Sequence, residues 1–466
     1  MLGLAVLAVC AHFLVKTHDV RNKEYGEGTV LAMIHRLRAE APSLSWVEQT
    51  PYTLSNYGPG FYAAGRAAGT LAGRPASLVP TRYVTLAATL ACAAIIVVMT
   101  RRGTGEAALG VFAGLLFLTA PVVDGWVPAG RVDLLGVLAS LAAYATLDRQ
   151  PRRSVAAAAL VALASLVKPT EALAALPLFV FLLARREPRS AVRFAIAVGA
   201  FGAAGWALAF WWSHGFYFWA VFRSNLPGFS IWRGYQQAYG FFASPIAVAG
   251  FVSLAYAVVA SPSSVLDSPY PIGFAISTLA AAAMVCREGS NFNYFIEPAA
   301  LASLVIGTGG LPLLTAINRR RTIEVAAVTA AIIAVPSVQD LRARLPLGTP
   351  AGYQTIAANV SAPSGSVVLA DSRWFDAVMA RGYRPIVNDP YLFRTLVDRH
   401  RMDAAPVIEA LKAGAVPYVV LDTSLEGHRR FPPLLGPMWP LEILDVIEAR
   451  YASVASEPGL YIYKPK

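Results

Sequence analysis

Residues 154–184 read SVAAAALVALASLVKPTEALAALPLFVFLLA, an apolar run with Lys168-Pro169 near its centre. The run fits one long tilted helix, or two short helices that meet at Lys168. A membrane-crossing helix needs about 20 apolar residues, with a range of about 17–25. Length therefore leaves both readings open, and charge decides between them. Arginine clusters follow several apolar runs: Arg101 and Arg102; Arg149, Arg152 and Arg153; Arg185, Arg186, Arg189 and Arg193; Arg319, Arg320 and Arg321. With two short helices, every cluster falls on the same side of the bilayer. With one long helix, the later clusters flip outside. Basic loops are retained in the cytoplasm, so two short helices are expected. The candidate spans are then 1–15, 80–99, 107–123, 131–147, 154–167, 170–184, 192–212, 241–259, 271–286, 293–315 and 323–338. This is an α-helical polytopic membrane protein of about eleven spans, with the N-terminus inside and the C-terminal segment outside.

Composition agrees. The 466 residues are 56% hydrophobic and 14% charged, and mean hydropathy is +0.52. A soluble domain carries roughly 25% charged residues. The net charge of +11 sits largely in the arginine clusters, and no basic-aromatic module for nucleic acid stands out. Cys10, Cys92 and Cys286 lie far apart in apolar runs and read as small buried thiols. The N-terminus lacks a basic leader and a clear cleavage site, and reads as an uncleaved first span. The location that follows is a bacterial-type plasma membrane.

One long polar segment, 17–79, interrupts the first half. It opens with His18-Asp19-Val20-Arg21-Asn22-Lys23-Glu24-Tyr25-Gly26-Glu27-Gly28. Residues 29–40 place Val30, Leu31, Ile34 and Leu37 at helical spacing, with Arg36 and Arg38 opposite. That pattern predicts an amphipathic helix along the membrane surface. Residues 58–73 are rich in small side chains and suited to close packing. The chain divides into a membrane part, 1–338, and a tail, 339–466. In the tail, short β-like runs at 367–370, 418–421 and 460–463 alternate with helical stretches at 374–381, 391–400 and 407–413. A small α/β domain outside the membrane is expected there, with a Pro-rich loop at 431–440.

Most of the unusual polar residues then gather on the outer side: the loop 17–79, the stretches 124–133 and 168–171, the segment 213–240, residues 287–297 and the tail. A transporter needs polar groups near the bilayer midplane. Groups at span ends on one face suit a site at the water–lipid boundary instead.

The order of motifs is distinctive. An acidic cluster and a helix precede Tyr57-Gly58-Pro59-Gly60-Phe61-Tyr62. Arg131-Val132-Asp133 opens a later span, and Leu166-Val167-Lys168-Pro169-Thr170 follows. Last comes Gly289-Ser290-Asn291-Phe292-Asn293-Tyr294-Phe295-Ile296-Glu297. This series resembles the GT-C membrane glycosyltransferases that use a polyprenyl-phosphate-linked sugar, among them protein O-mannosyltransferases and lipid A aminoarabinose transferases. The resemblance covers membrane part and tail alike. Those enzymes carry an Asp-Glu pair early in the first outer loop, where this chain has Glu24-Tyr25-Gly26-Glu27-Gly28.

The implied reaction moves a sugar, with inversion, from lipid phosphate to an acceptor hydroxyl on the outer face. A phosphate leaving group needs no general acid, so one carboxylate base and cations for the departing phosphate suffice. Glu27 is the first choice for base, with Glu24 and Asp19 behind it; as plain structure, all three are solvated loop acids or partners of Arg21 and Lys23. Asp133, next to Arg131, is a helix cap or a second site acid, which by resemblance positions an acceptor or the loop. Lys168 is a snorkelling lysine or a phosphate contact, as uncompensated charge between apolar segments is costly, and Glu171 is its partner. Arg223, Arg233 and Arg287 are further phosphate candidates. Asn291, Asn293 and Glu297 hold sugar hydroxyls or cap a span. Tyr57 and Tyr62 line the site or belong to an interfacial aromatic belt. His214 reads as an interfacial histidine. No His/Asp/Glu set has ligand spacing, so a divalent metal is not indicated. The partners implied are the lipid donor, a glycan, lipid or protein acceptor, and membrane lipid. The alternatives are a transporter or flippase of a lipid-linked intermediate, or a catalytically silent scaffold of the cell envelope.

Overall fold

The computed structural model describes residues 2–19, 24–74, 76–148, 150–224, 228–260, 262–310, 319–345, 351–430 and 438–466. Arg21, Lys23 and Arg149, and most of the Pro-rich 431–440 stretch, lie outside the described residues.

The protein is an integral membrane protein, a helical bundle that carries a small sheet near its C-terminus. Among the described residues, Leu78–Thr104, Pro188–Trp212 and Glu324–Arg344 are each long and apolar enough to cross a bilayer. A fourth candidate is the pair Ile231–Phe242 and Pro245–Ala260, bent by 79° at its break. Shorter apolar helices include Leu2–His18, Ala107–Leu118, Asp133–Leu147 and Tyr270–Met284. Helix ends follow local chemistry. The Ser77 hydroxyl accepts the Val79 amide at the start of Leu78–Thr104, and Gly105 closes that helix at φ 78°, a left-handed position that costs glycine little.

The chain does break at Lys168. Ser154–Val167 ends there with Lys168 extended, and Pro169 opens a 3-10 turn that leads into Ala175–Ala184. Proline cannot donate its missing amide and disfavours helical backbone in the residue before it, so the break is written in Lys168-Pro169.

Among its described residues the loop 17–79 carries the helices Tyr25–Ala39 and Pro59–Leu71, with the short helix Ser45–Glu48 between them. The first is not an interfacial helix. Val30, Met33, Ile34 and Leu37 pack with Trp46, Phe61 and Tyr62, while Leu31 and Ala32 pack on the other side with Trp374, Phe375 and Val378 of the tail. Both faces are buried because the tail covers the face expected to meet lipid headgroups. Glycine sets the spacing: a Cβ at Gly28 would lie 1.8 Å from the Ser372 carbonyl oxygen, and one at Gly58 would lie 2.1 Å from that of Leu166.

The tail forms a five-stranded sheet in the order β2-β1-β3-β5-β4, with β1 Val367–Ala370, β2 Arg384–Pro385, β3 Val419–Leu421, β4 Tyr451–Glu457 and β5 Leu460–Pro465. β1 pairs parallel with β2 and β3; β5 pairs antiparallel with β3 and β4. The loop joins this sheet. Tyr52 bridges to Val387, and the Asn388 side chain accepts from the Leu54 amide at 2.6 Å and donates to its carbonyl at 3.0 Å.

Candidate active site

Three residues at the start of the helix Asp133–Leu147 organise the site. Gly130 donates its amide to Glu27 Oε1 at 2.7 Å. Arg131 Nη1 meets Glu24 Oε2 at 2.9 Å, and its Nη2 donates to the Tyr57 hydroxyl at 2.8 Å. Asp133 takes Lys168 Nζ at 2.8 Å, Trp126 Nε1 at 2.9 Å and Asn293 Nδ2 at 2.6 Å. The stretch 130–133 thus ties the loop, the Lys168 break and the 287–297 segment together.

A cleft of about 410 Å³ opens above this hub. Its walls come from three parts of the chain. The loop gives Glu24, Asn56, Tyr57 and Tyr62. The membrane part gives Arg131, Arg233, Gln237, Glu288 and Asn291. The tail gives Asp389, Tyr391 and Arg399. A side chamber of about 80 Å³ shares Asn56, Tyr57 and Glu288 with the cleft and adds Lys168, Thr170, Arg287 and Tyr294. Its cation is held in place: Lys168 Nζ is 3.5 Å from Glu171 Oε1 and 4.2 Å from the centre of the Tyr294 ring. Lys168 is only 2% exposed, so these acids offset the cost of burying its charge.

The two acids of the Glu24-Glu27 box have separate fates. Glu24 caps Tyr25–Ala39 and Glu27 returns the capping bond, the reciprocal arrangement of a capping box. Glu27 is 1% exposed. Arg82 Nε and Nη2 grip its two oxygens at 2.7 and 2.8 Å, so the first choice for base is locked in an internal ion pair and does not line the cleft. Glu24 does line it, with its side chain 32% exposed. Its Oε2 is engaged by Arg131 and the Gly26 amide. Burial raises the Glu24 carboxyl above its ordinary range, and the Arg131 charge partly opposes that. The approach of Arg131 requires Gly26, where a Cβ would fall 1.3 Å from Arg131 Nη1.

The other expected residues divide in the same way. Asp19 is buried and paired with Arg344 at 3.0 Å, away from the cleft. Glu171 and Glu297 lie below the cleft floor; Glu297 accepts from Ser140 at 2.9 Å and Tyr144 at 3.2 Å. Arg233 and Asn291 line the cleft and Arg287 lines the side chamber. Arg223 has an exposed side chain outside both, and its carbonyl accepts from Arg401 at 3.1 Å. Asn293 faces Asp133, not open space. Tyr57 lines both chambers, its hydroxyl pushed up to about 12 chiefly by burial. Tyr62 bonds Ser55 at 2.7 Å. His214 is exposed.

Sequence reading missed Asp389, Tyr391, Glu288 and Arg399. Asp389 accepts from the Tyr25 hydroxyl and from the Leu392 amide at 3.0 Å, and burial raises its carboxyl. Glu288 pairs with Arg399 across the cleft. Asp389-Pro390 is a legible helix start, but nothing in sequence carries it to Glu24, 365 positions earlier. Arg131 Nε and the Tyr391 hydroxyl are buried at this cleft without a hydrogen-bond partner among the described residues. Unpartnered buried polar atoms are costly, and both residues line the cleft.

No family model matches the chain, and no curated protein matches it. Solved structures do. ArnT from Cupriavidus metallidurans, an aminoarabinose transferase, is similar in its apo form at TM-score 0.68 and 16% identity, covering 99% of this chain and 97% of that one. The same protein bound to undecaprenyl phosphate matches at TM-score 0.67 and 16% identity, over 99% and 98%. An oligosaccharyltransferase from Archaeoglobus fulgidus tethered to an acceptor peptide matches at TM-score 0.52 and 15% identity, over 99% of this chain and 74% of that one. At such identities the likeness is one of fold, and it runs from the first helix through the tail: the chain has the fold of the GT-C membrane glycosyltransferases.

Proposed function

We propose that the protein transfers one sugar, with inversion, from a polyprenyl-phosphate donor to an acceptor hydroxyl at the outer membrane face. The carrying observation is the pairing of two chambers: a cleft with a carboxylate, Glu24, joined through Tyr57 to a chamber with Lys168 and Arg287. The lipid phosphate sits in the side chamber and the sugar lies across Tyr57. The acceptor enters the cleft from the tail side. Its hydroxyl oxygen forms the new bond to the anomeric carbon as the carbon–phosphate-oxygen bond breaks on the opposite side. The proton goes to Glu24. The electron pair leaves with the phosphate, whose added charge Lys168 and Arg287 stabilise. Positioned proton transfer of this kind contributes typically 10²–10⁴-fold. Arg131 keeps Glu24 ionised and aimed; Asp133 aims Lys168. The similar ArnT structure bound to undecaprenyl phosphate supports the lipid class. In this reading the eleven spans place the N-terminus inside, and the membrane part, 1–338, and the tail, 339–466, enclose the site from below and above.

The test supplies purified protein with labelled polyprenyl-phosphate sugars and a panel of hydroxyl acceptors. Transfer is expected, with kcat of Glu24→Gln lowered by about 10²–10⁴-fold. Full turnover by Glu24→Gln, or translocation of the lipid with no transfer, would overturn the reading.

A further inference from the structure

The tail's sheet has a feature the transfer reaction does not use. β1 lies between β2 and β3 and is parallel to both. From β1 the chain goes first to β2 on one side, then to β3 on the other. Where strand order reverses in this way, a crevice opens outside the carboxyl ends of the two strands, and open α/β sheets bind ligands there. Asp371 is the first residue after β1, and Asp422 is the first after β3. His428, on the short helix Leu425–Arg429, completes a group of three whose ligand atoms lie within 4.8 Å of one another, the sole such group among the described residues.

We propose that Asp371, Asp422 and His428 hold a divalent cation of the zinc class, in a site separate from the transfer cleft. His428 Nε2 stands 3.1 Å from Asp371 Oδ2. Two ligands on one tetrahedral ion, with bonds of about 2.0–2.2 Å, stand about 3.3–3.6 Å apart, so only a small opening is needed. Trp439 Nε1 donates to Asp371 Oδ1 at 2.8 Å and turns Oδ2 toward the group, the kind of outer bond that orients a metal-binding carboxylate. His428 is wholly buried, and its imidazole reaches the group through Nε2. Asp371 and His428 are buried and Asp422 is half-buried.

The donor set selects the ion. Three mixed nitrogen and oxygen ligands with one position left for solvent suit zinc; magnesium and calcium ask for more oxygens. Half-buried Asp422 marks the entry. None of the three ligands lines the transfer cleft, but Met438, next to Trp439, does. The ion therefore fastens the ends of β1 and β3 behind one cleft wall.

The experiment uses full-length protein in detergent, stripped with EDTA and then titrated with Zn2+ and, as a spectroscopic probe, Co2+. One tight Zn2+ equivalent, a raised thermal midpoint and the visible bands of tetrahedral Co2+ are expected. Asp422→Asn should lose all three while unfolding at the same temperature as the stripped wild type, and His428→Gln should lose the Co2+ bands. Titration of the wild type alone stays decisive if a variant fails to fold. No metal-dependent shift in the wild type, or equal Co2+ spectra in the wild type and both variants, would leave only a buried Asp–His pair and overturn the proposal.

Discussion

Glu24 and Glu27 sit one helical turn apart and cap the same helix, yet burial gives them opposite work. Glu27 shares both oxygens with Arg82, and both side chains are almost fully enclosed. Breaking a buried pair from one side leaves the other charge uncompensated, at about 3–5 kcal/mol. Glu27→Gln is therefore expected to lower unfolding stability by about that amount in chemical or thermal denaturation, whereas Glu24→Gln, at a partly exposed position, should unfold close to wild type and lose turnover. Equal stability of the two variants would contradict this division. The pH profile carries a second expectation. A base must be ionised, and burial raises Glu24 while Arg131 opposes the rise. Activity should thus fail, as pH drops, at a value above the ordinary glutamate figure of about 4.3. Arg131→Gln removes the opposing charge and should move that acid limb further up. A limb that stays in place in the Arg131 variant would detach the profile from Glu24.

The helix Tyr25–Ala39 is the element on which the site turns, because it is clamped between the membrane part and the tail. Gly28 lets the clamp close against the Ser372 backbone. Gly28→Ala must push that backbone away, and overpacking of this kind costs typically 1–3 kcal/mol. The expected outcome is a lower thermal midpoint together with reduced turnover, since Asp389, Tyr391 and Arg399 would withdraw from the cleft. An unchanged midpoint would mean the tail yields freely. This element also marks where sequence stops being informative. The break at Lys168, the helix of the loop and the strands at 367–370 and 460–463 were legible, because proline, periodicity and β-branched runs are local signals. β4 was not: Tyr451–Glu457 is mostly Ala and Ser, without an apolar alternation. The expected interfacial face of Tyr25–Ala39 was misread because an apolar stripe has the same pattern whether lipid or a folded tail covers it. Of the candidate site, residue types such as Glu24, Arg131 and Lys168 were legible. Which acid faces the cleft was not, since Glu27 is withdrawn by Arg82, 55 positions away in the chain.

At the scale of the whole molecule, the cleft exists only where loop, membrane part and tail meet, so a ligand that fills both chambers should bind the three together. Four arginines face these chambers from distant segments: Arg131, Arg233, Arg287 and Arg399. Charge-assisted bonds to phosphate oxygens are among the stronger polar contacts, and the desolvated Lys168 adds to them. Anything that binds the folded state alone stabilises it by mass action, about 2.7 kcal/mol at 100 times its Kd. Delipidated protein titrated with a polyprenyl phosphate is therefore expected to gain about that much in thermal unfolding. The same polyprenol without phosphate should give little, because the chamber's affinity lies in its cations. Inorganic phosphate should give an intermediate gain, since it lacks the apolar tail. Arg287→Ala should reduce the gain from the lipid phosphate while leaving the stability of the lipid-free protein near wild type. Equal stabilisation by the polyprenol and its phosphate would place the lipid's grip on its tail, and would remove the side chamber from the mechanism.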